Sequence, residues 1–316
     1  MKSVKIKLYL LTFSLLAMSC AGDDAGQIIN NDPTTFEIIA NSDNHTTLEQ
    51  LLADANLVDV INSDVYTIFA PTDAAFSEIN LTDYTAEQLK NILLNHLISG
   101  NVSSLDLANA YYKTNATESY SGNNNFIDVY VNVDGGIFLN GISEVDQEDI
   151  SASNGTVHVV GSVIPIADLG NLTNANPNFS SLSAALTQED LIATLFLDAD
   201  TPPAPLSLFA PSENAFQNFL DEDEEDAFET IEDILESPSL ADILTYHLTS
   251  GALRENNIVD QEILTTLQGQ TIQLNVGDTL SITDQKNRTT PIKTTDVTGS
   301  NGVIHVLENV LLPNLD

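Results

Sequence analysis

The nine residues Ile68-Phe69-Ala70-Pro71-Thr72-Asp73-Ala74-Ala75-Phe76 return as Leu208-Phe209-Ala210-Pro211-Ser212-Glu213-Asn214-Ala215-Phe216. A second string, Asp149-Ile150-Ser151-Ala152-Ser153-Asn154-Gly155-Thr156-Val157-His158-Val159, returns as Asp296-Val297-Thr298-Gly299-Ser300-Asn301-Gly302-Val303-Ile304-His305-Val306. Two strings repeated in the same order mean that one module is written twice. The Phe-Ala-Pro strings lie 140 residues apart and the Asn-Gly-x-x-His strings 147 apart. That spacing is one domain, not one solenoid repeat, so each half should bury its own core. The expected domains cover 34–166 and 178–314 and should behave as separate beads, with the Asn- and Gly-containing stretch 167–177 as the linker.

The first nineteen residues belong to neither half. Lys2, Lys5 and Lys7 precede an apolar run from Leu8 to Met18, the pattern of an export signal and too short to span a bilayer as a helix. Leu16-Ala17-Met18-Ser19-Cys20 resembles the cleavage box of bacterial lipoproteins, which implies that Cys20, the only cysteine in the chain, becomes the lipidated N-terminus. Residues 20–33 are small, polar or acidic and read as a tether. The Asp23-Asp24 pair within it resembles signals that send some lipoproteins to the outer cell surface.

Each half mixes helical and strand patterns. Leu48, Leu51, Leu52 and Ala55 mark one helical stripe, with Thr46 and Thr47 available as caps. Val65 to Phe69 reads as a strand stopped by Pro71, after which Thr72, or Ser212 in the second half, caps a helix. Leu89 to Leu97 and Ile243 to Leu248 read as helices ending at His96 and His247. Ile127, Val129, Val131 and Val133 alternate up to Asp134-Gly135-Gly136, a hairpin pattern that Ile272, Leu274 and Val276 repeat before Gly277-Asp278. The apolar runs Val157–Val163 and Val303–Leu312 complete an α+β class.

The ordered set Phe-Ala-Pro-Thr-Asp-x-Ala-Phe, an x-His or Tyr-His pair, and Asn-Gly-x-x-His-Val with a terminal apolar strand resembles the fasciclin domain. The resemblance covers nearly the whole chain after the tether. It implies two tandem domains, each a β-wedge or sandwich flanked by several helices, in a secreted or membrane-attached protein of adhesion and matrix contact. It also implies ligand-binding candidates: Tyr246 and His247, His96 beside Asn95, and the dipeptides Asp149-Ile150 and Asp296-Val297.

Forty-six acidic residues against nine basic ones give a net charge of −37, and loss of the leader lysines takes it to about −40. Such a chain cannot neutralise phosphates, so nucleic acid is excluded and membrane contact should come only through the lipid. No Gly-x-Ser-x-Gly elbow, His-Glu-x-x-His pair or phosphate-binding glycine loop is present, so no enzyme activity and no cofactor are expected. His158 and His305 read as hydrogen-bonding residues of buried strands, not metal ligands, and no metal is expected. His96 and His247, near helix C-termini, read first as partners of unsatisfied carbonyls. Asn154-Gly155 and Asn301-Gly302 read as turns tolerating positive φ. The acidic run 221–226 lacks spaced oxygen ligands and reads as a solvated insertion, since Pro211 to His247 is 36 residues whereas Pro71 to His96 is 25.

The expected function is a non-enzymatic, lipid-anchored envelope protein binding protein or polysaccharide, in the outer membrane facing outward, with the periplasmic face as the alternative. A second reading, carried by Tyr111, Tyr112 and Tyr120, is a glycan-binding accessory or weak hydrolase of an outer-membrane uptake system. A structural envelope component without a diffusible ligand is the third.

Overall fold

The computed structural model describes residues 32–222 and 229–315. Cys20, the leader and most of the tether therefore lie outside the described residues, as does the acidic run from Asp223 to Asp226.

The first module opens with helices α1 (Thr35–Ala40), α2 (Thr46–Asp54) and α3 (Val58–Ser63), followed by β1 (Tyr66–Pro71), α4 (Asp73–Ser77), α5 (Ala86–Asn95) and β2 (Leu97–Ser99). It closes with β3 (Ala110–Thr117), β4 (Phe126–Asn132), β5 (Phe138–Leu139), β6 (Ser143–Ala152) and β7 (Gly155–Val160). The second module repeats the order as α6 (Leu169–Ala175), α7 (Ser180–Gln188), β8 (Leu206–Pro211), α8 (Glu213–Asp221), α9 (Ile231–Leu235), α10 (Leu240–Tyr246) and β9 (Leu248–Ser250). Its remaining strands are β10 (Ile263–Thr265), β11 (Thr271–Val276), β12 (Leu280–Thr283), β13 (Thr289–Gly299) and β14 (Gly302–Leu307). The class is α+β, and α9 falls in the longer interval between proline and histidine.

The two repeated strings meet in space. β1 runs parallel to β7 with Phe69 opposite His158, and β8 runs parallel to β14 with Phe209 opposite His305. The other pairings are antiparallel, including the expected β4–β5 and β11–β12 hairpins. Period-2 alternation splits each module into two cores. Ile68 and Ala70 face the helices while Phe69 faces the inside of the sheet; Leu208, Ala210 and Phe209 divide the same way. In the first module the seven strands close into a barrel. The second stays open between β9 and β10, where a bond from the Leu267 N–H to the Leu248 carbonyl (2.7 Å) bridges the gap.

Two expectations about local structure change. Thr72 and Ser212 do cap their helices, each accepting from an N–H three residues on at 3.2 Å. Thr46 and Thr47, by contrast, do not cap α2. Their N–H groups donate to the Asp73 carboxylate at 3.3 and 2.7 Å, and Glu213 receives the Ser181 N–H and hydroxyl at 2.5 and 2.7 Å in the second module. The acidic residue after Pro-Thr or Pro-Ser thus neutralises the start of a helix about thirty positions earlier in the chain.

Asn154-Gly155 and Asn301-Gly302 do form the turns that feed β7 and β14, and each residue has a further role. A Cβ on Gly155 would stand 1.8 Å from the Tyr66 carbonyl oxygen, and one on Gly302 would stand 2.2 Å from that of Leu206. Only glycine lets the parallel strands approach. Each asparagine reaches back to the module's opening helices. Asn154 accepts from the Thr35 N–H (2.8 Å) and donates to the Ile61 carbonyl (2.9 Å). Asn301 accepts from the Leu169 N–H (2.9 Å) and donates to the carbonyls of Leu195 and Leu197 (2.8 and 2.7 Å).

The 167–177 stretch is not a free linker. Asp168 caps α6 through the Asn171 N–H (2.7 Å), and Ala167, Leu169 and Leu172 are fully buried in the helical core of the second module. Its apolar residues recur at helical spacing, so the segment gains more from burial than its Asn and Gly content costs.

Candidate functional site: the seam between the modules

The candidates fall into two groups, one enclosed in the modules and one on irregular strands near the surface, where Asp296 lines a hollow of about 460 Å³ with Glu255 and Asp278. His96 and His247 are buried with both ring nitrogens engaged. Nδ1 lies 2.8 Å from the Ile92 carbonyl in the first module and 2.7 Å from the Ile243 carbonyl in the second. Nε2 accepts from the Ile164 N–H and the Leu311 N–H, both at 2.9 Å. A ring that donates through Nδ1 and accepts through Nε2 is neutral, and burial lowers both pKa values to about 4. These rings clamp a helix end to the segment after the last strand, and their 1% exposure keeps them from a ligand's reach. Tyr246 is buried too: its hydroxyl donates to the Thr271 carbonyl (2.7 Å), and burial pushes its pKa up to about 12.

Asp149 and Asp296 sit at irregular points in β6 and β13, both at positive φ (58° and 57°). Asp149 receives the Ser104 N–H (2.8 Å) and hydroxyl (2.5 Å), bonds that hold its carboxyl below the usual range. Asp296 receives the Glu255 N–H (3.0 Å). Each dipeptide therefore anchors the short turn that follows β2 or β9. Asp149 is exposed and Ile150 half-buried, whereas Asp296 is half-buried and Val297 belongs to the helical core. A chain of contacts links the two groups: Phe69 donates its N–H to the His96 carbonyl (2.9 Å) and stacks on His158 at 5.3 Å, and the Asp149 N–H reaches His158 Nδ1 (3.2 Å).

The more consequential arrangement lies where the modules meet, and the expectation of separate beads fails there. Lys113 on β3 pairs with Asp128 on β4 (2.5 Å) and also donates to the Asp296 carbonyl (2.7 Å) and the Thr298 hydroxyl (3.1 Å) across the seam. Asp128 in turn accepts the Thr298 N–H at 2.6 Å. Arg254 enters from the second module, bonding Thr298 Oγ1 (3.1 Å) and the Tyr120 hydroxyl (3.3 Å), with the buried Glu118 carboxylate 4.0 Å away. Burial opposes charge on Glu118, but bonds from Ser121 and Asn125 outweigh it and keep its carboxyl below the usual range. Burial likewise pushes Asp128 up, against the pull of Lys113, the Thr298 N–H and Arg254. A buried acid in this position is costly unless its partners stay in place, so the network holds the modules in one arrangement.

Two of the three tyrosines singled out in the sequence belong to this seam. Tyr111 donates to the Leu172 carbonyl (3.0 Å), accepts from Asn176 (3.0 Å) and packs on the second module's core. Tyr120 donates to the Gly302 carbonyl (3.0 Å). Burial raises both hydroxyl pKa values. Tyr112 accepts from the Ala108 N–H within its own module (3.0 Å). The three rings therefore do not form one open glycan platform: Tyr111 joins the modules, Tyr112 packs within the first, and Tyr120 both bonds across the seam and lines the hollow beside it. Sequence reasoning missed Lys113, Asp128, Arg254 and Thr298. The available signal was that Lys113 and Arg254 are two of only six lysines and arginines after residue 19.

Beside the seam run two hollows of about 680 and 660 Å³, both lined by Gln88, Ser119 and Ser300. Among the described residues no three His, Cys, Asp or Glu side chains gather as a metal site, and no helix is long and apolar enough to cross a membrane.

The profile of the Fasciclin domain matches residues 43–166 and 177–313. The chain belongs to the fasciclin family. It is 29% identical to human periostin over 274 residues, 85% of this chain and 30% of periostin. To transforming growth factor-beta-induced protein ig-h3 of Oryctolagus cuniculus it is 27% identical over 259 residues, 79% of this chain and 35% of that protein. The chain thus spans about a third of the length of these relatives. In fold it is similar to the FAS1 domain pair of the insect cell adhesion molecule Fasciclin I, with a TM-score of 0.53 and 20% identity, covering 84% of this chain and 96% of that one.

Proposed function

We propose that the protein is a non-enzymatic, lipid-anchored adhesive component of the cell envelope, binding an extracellular protein or polysaccharide through a fasciclin pair held as one body. The observation that carries this reading is the seam: Lys113, Asp128, Arg254 and Thr298 fix two modules in one arrangement. A fixed arrangement lets one ligand meet both modules without ordering a linker on binding. The likeness to a domain pair from a cell adhesion molecule supports the same reading, as does the leader ending at Cys20. The histidines offer little to acid–base chemistry, since His96 and His247 are neutral and enclosed. In this reading Cys20 carries the lipid, and the Asp23-Asp24 pair that follows it favours the outer face of the outer membrane.

Protease treatment of intact cells tests location, with a Cys20→Ala strain as the anchoring control. Degradation without lysis is expected, and protection until lysis would overturn outward display. Attachment of cells to a matrix tests adhesion. Deleting either module should abolish most of it, and full attachment by both deletion strains would refute the proposal.

A further inference from the structure

Phe196 follows the fully buried Leu195 yet is itself 42% exposed. Its ring has an unusual seat. A Cβ on Gly170 would stand 2.6, 2.7 and 2.8 Å from the ring's Cζ, Cε1 and Cε2. Three near-equal distances mean that one face of the ring lies flat on bare glycine backbone. The exposed part of the ring lines the 680 Å³ hollow, together with Tyr120, Ser119, Ser300, Gln88 and Asp198. Among the described residues, the hydroxyls of Ser119 and Ser300 and the carboxylate of Asp198 make no side-chain hydrogen bond. The second hollow continues from the shared residues along α5 and adds Asn124.

We infer that this groove binds a neutral polysaccharide strand, with one sugar ring stacked on Phe196 and its hydroxyls bonded to Ser119, Ser300, Gln88 and Asp198. A flat aromatic face meets the C–H face of a sugar, while the rim needs both donors and acceptors. Hydroxyl, carboxamide and carboxylate groups provide that mixture. The first hollow is lined by Asp168, Asp198 and Asp200 and by no Lys or Arg, the second adds Lys90 together with Glu87 and Glu118, and the chain carries −37, so an anionic polymer is disfavoured. The inference rests on the adhesive reading and names the ligand class within it. Of the tyrosine cluster only Tyr120 lines this hollow, Tyr111 being taken up by the seam, so the stacking surface falls to the exposed ring of Phe196.

Calorimetric titration of the whole protein with cello-, malto-, laminari- and xylohexaose tests it. At least one should bind. Phe196→Ala should weaken that binding by about tenfold or more, Phe196→Trp should retain it, and Leu105→Ala, at an exposed position away from the groove, should leave it unchanged. No binding of any of the four at millimolar concentration would overturn the proposal, as would equal binding by Phe196→Ala. Phe196-dependent binding of a lysine-rich peptide alone would also overturn it, reassigning the groove to a basic protein. If the sugars fail but cell attachment still requires both modules, the groove proposal falls and the adhesive reading stands.

Discussion

Acid should loosen the protein at the two histidine clamps. In the folded state His96 and His247 have pKa values lowered from 6.5 to about 4 by burial, whereas the unfolded chain takes up a proton near 6.5. The unfolded state then binds more protons over the whole window between about 4 and 6.5. Stability contributed by each neutral ring is therefore complete above that window and is lost as pH falls through it. At about 1.4 kcal/mol per pKa unit, each ring should cost about 2 kcal/mol by pH 5 and about 3 kcal/mol below pH 4. The many carboxylates also titrate on the acid side, so the wild type alone is not diagnostic. Urea unfolding of wild type and His247→Gln at pH 7 and pH 5 isolates the ring. The variant, which leaves the Leu311 N–H and Ile243 carbonyl poorly paired, should be less stable at pH 7, and the gap should narrow by about 2 kcal/mol at pH 5. A gap that stays constant between the two pH values would refute the neutral clamp.

Lys113→Ala strips the buried Asp128 of its ion pair, and should cost about 3 kcal/mol, less if water enters the half-exposed lysine site; calorimetry should then resolve two unfolding transitions in place of one, and scattering should report a larger radius. Asn301→Ala leaves the Leu169 N–H and the Leu195 and Leu197 carbonyls without their partner, which predicts a loss of about 3 kcal/mol by chemical denaturation, whereas Asn309→Ala, in a surface contact with Asn218, should change little. Gly302→Ala forces the new methyl against the Leu206 carbonyl, and the expected result is a chain recovered mainly as aggregate; a soluble variant with wild-type melting behaviour would contradict the parallel approach of β8 and β14.

Repetition made the architecture readable and also set its blind spots. The strand-turn-helix at Phe-Ala-Pro, its hydroxyl caps and both glycine hairpins depend on neighbours within a few residues, and local chemistry is enough to find them. The Asp73 carboxylate at the start of α2 and Asn154 against α1 and α3 are repeated in the second half. Their repetition marks them as necessary but does not reveal partners tens of residues distant. The seam is harder still, because it depends on what the halves do not share. Asp128 accepts from Thr298 across 170 positions, and nothing in the alternation of β4 separates a buried acid from a solvated one. Phe196 was invisible for another reason: its presentation depends on Gly170, a residue whose contribution is the side chain it lacks.

The Lys113–Asp128 pair also says something about assembly. Cross-strand register places Ile263 and Gln273 of the second module where Lys113 and Asp128 stand in the first. The turn that presents Arg254 begins at Ser103 in the first module. The outer face of the second module thus lacks the charges that would grip another copy, and the outer face of the first lacks the guanidinium that would answer them. Copies of the pair therefore lack the charged partners with which the internal contact would be repeated head to tail, the step by which a heterologous contact seeds a filament.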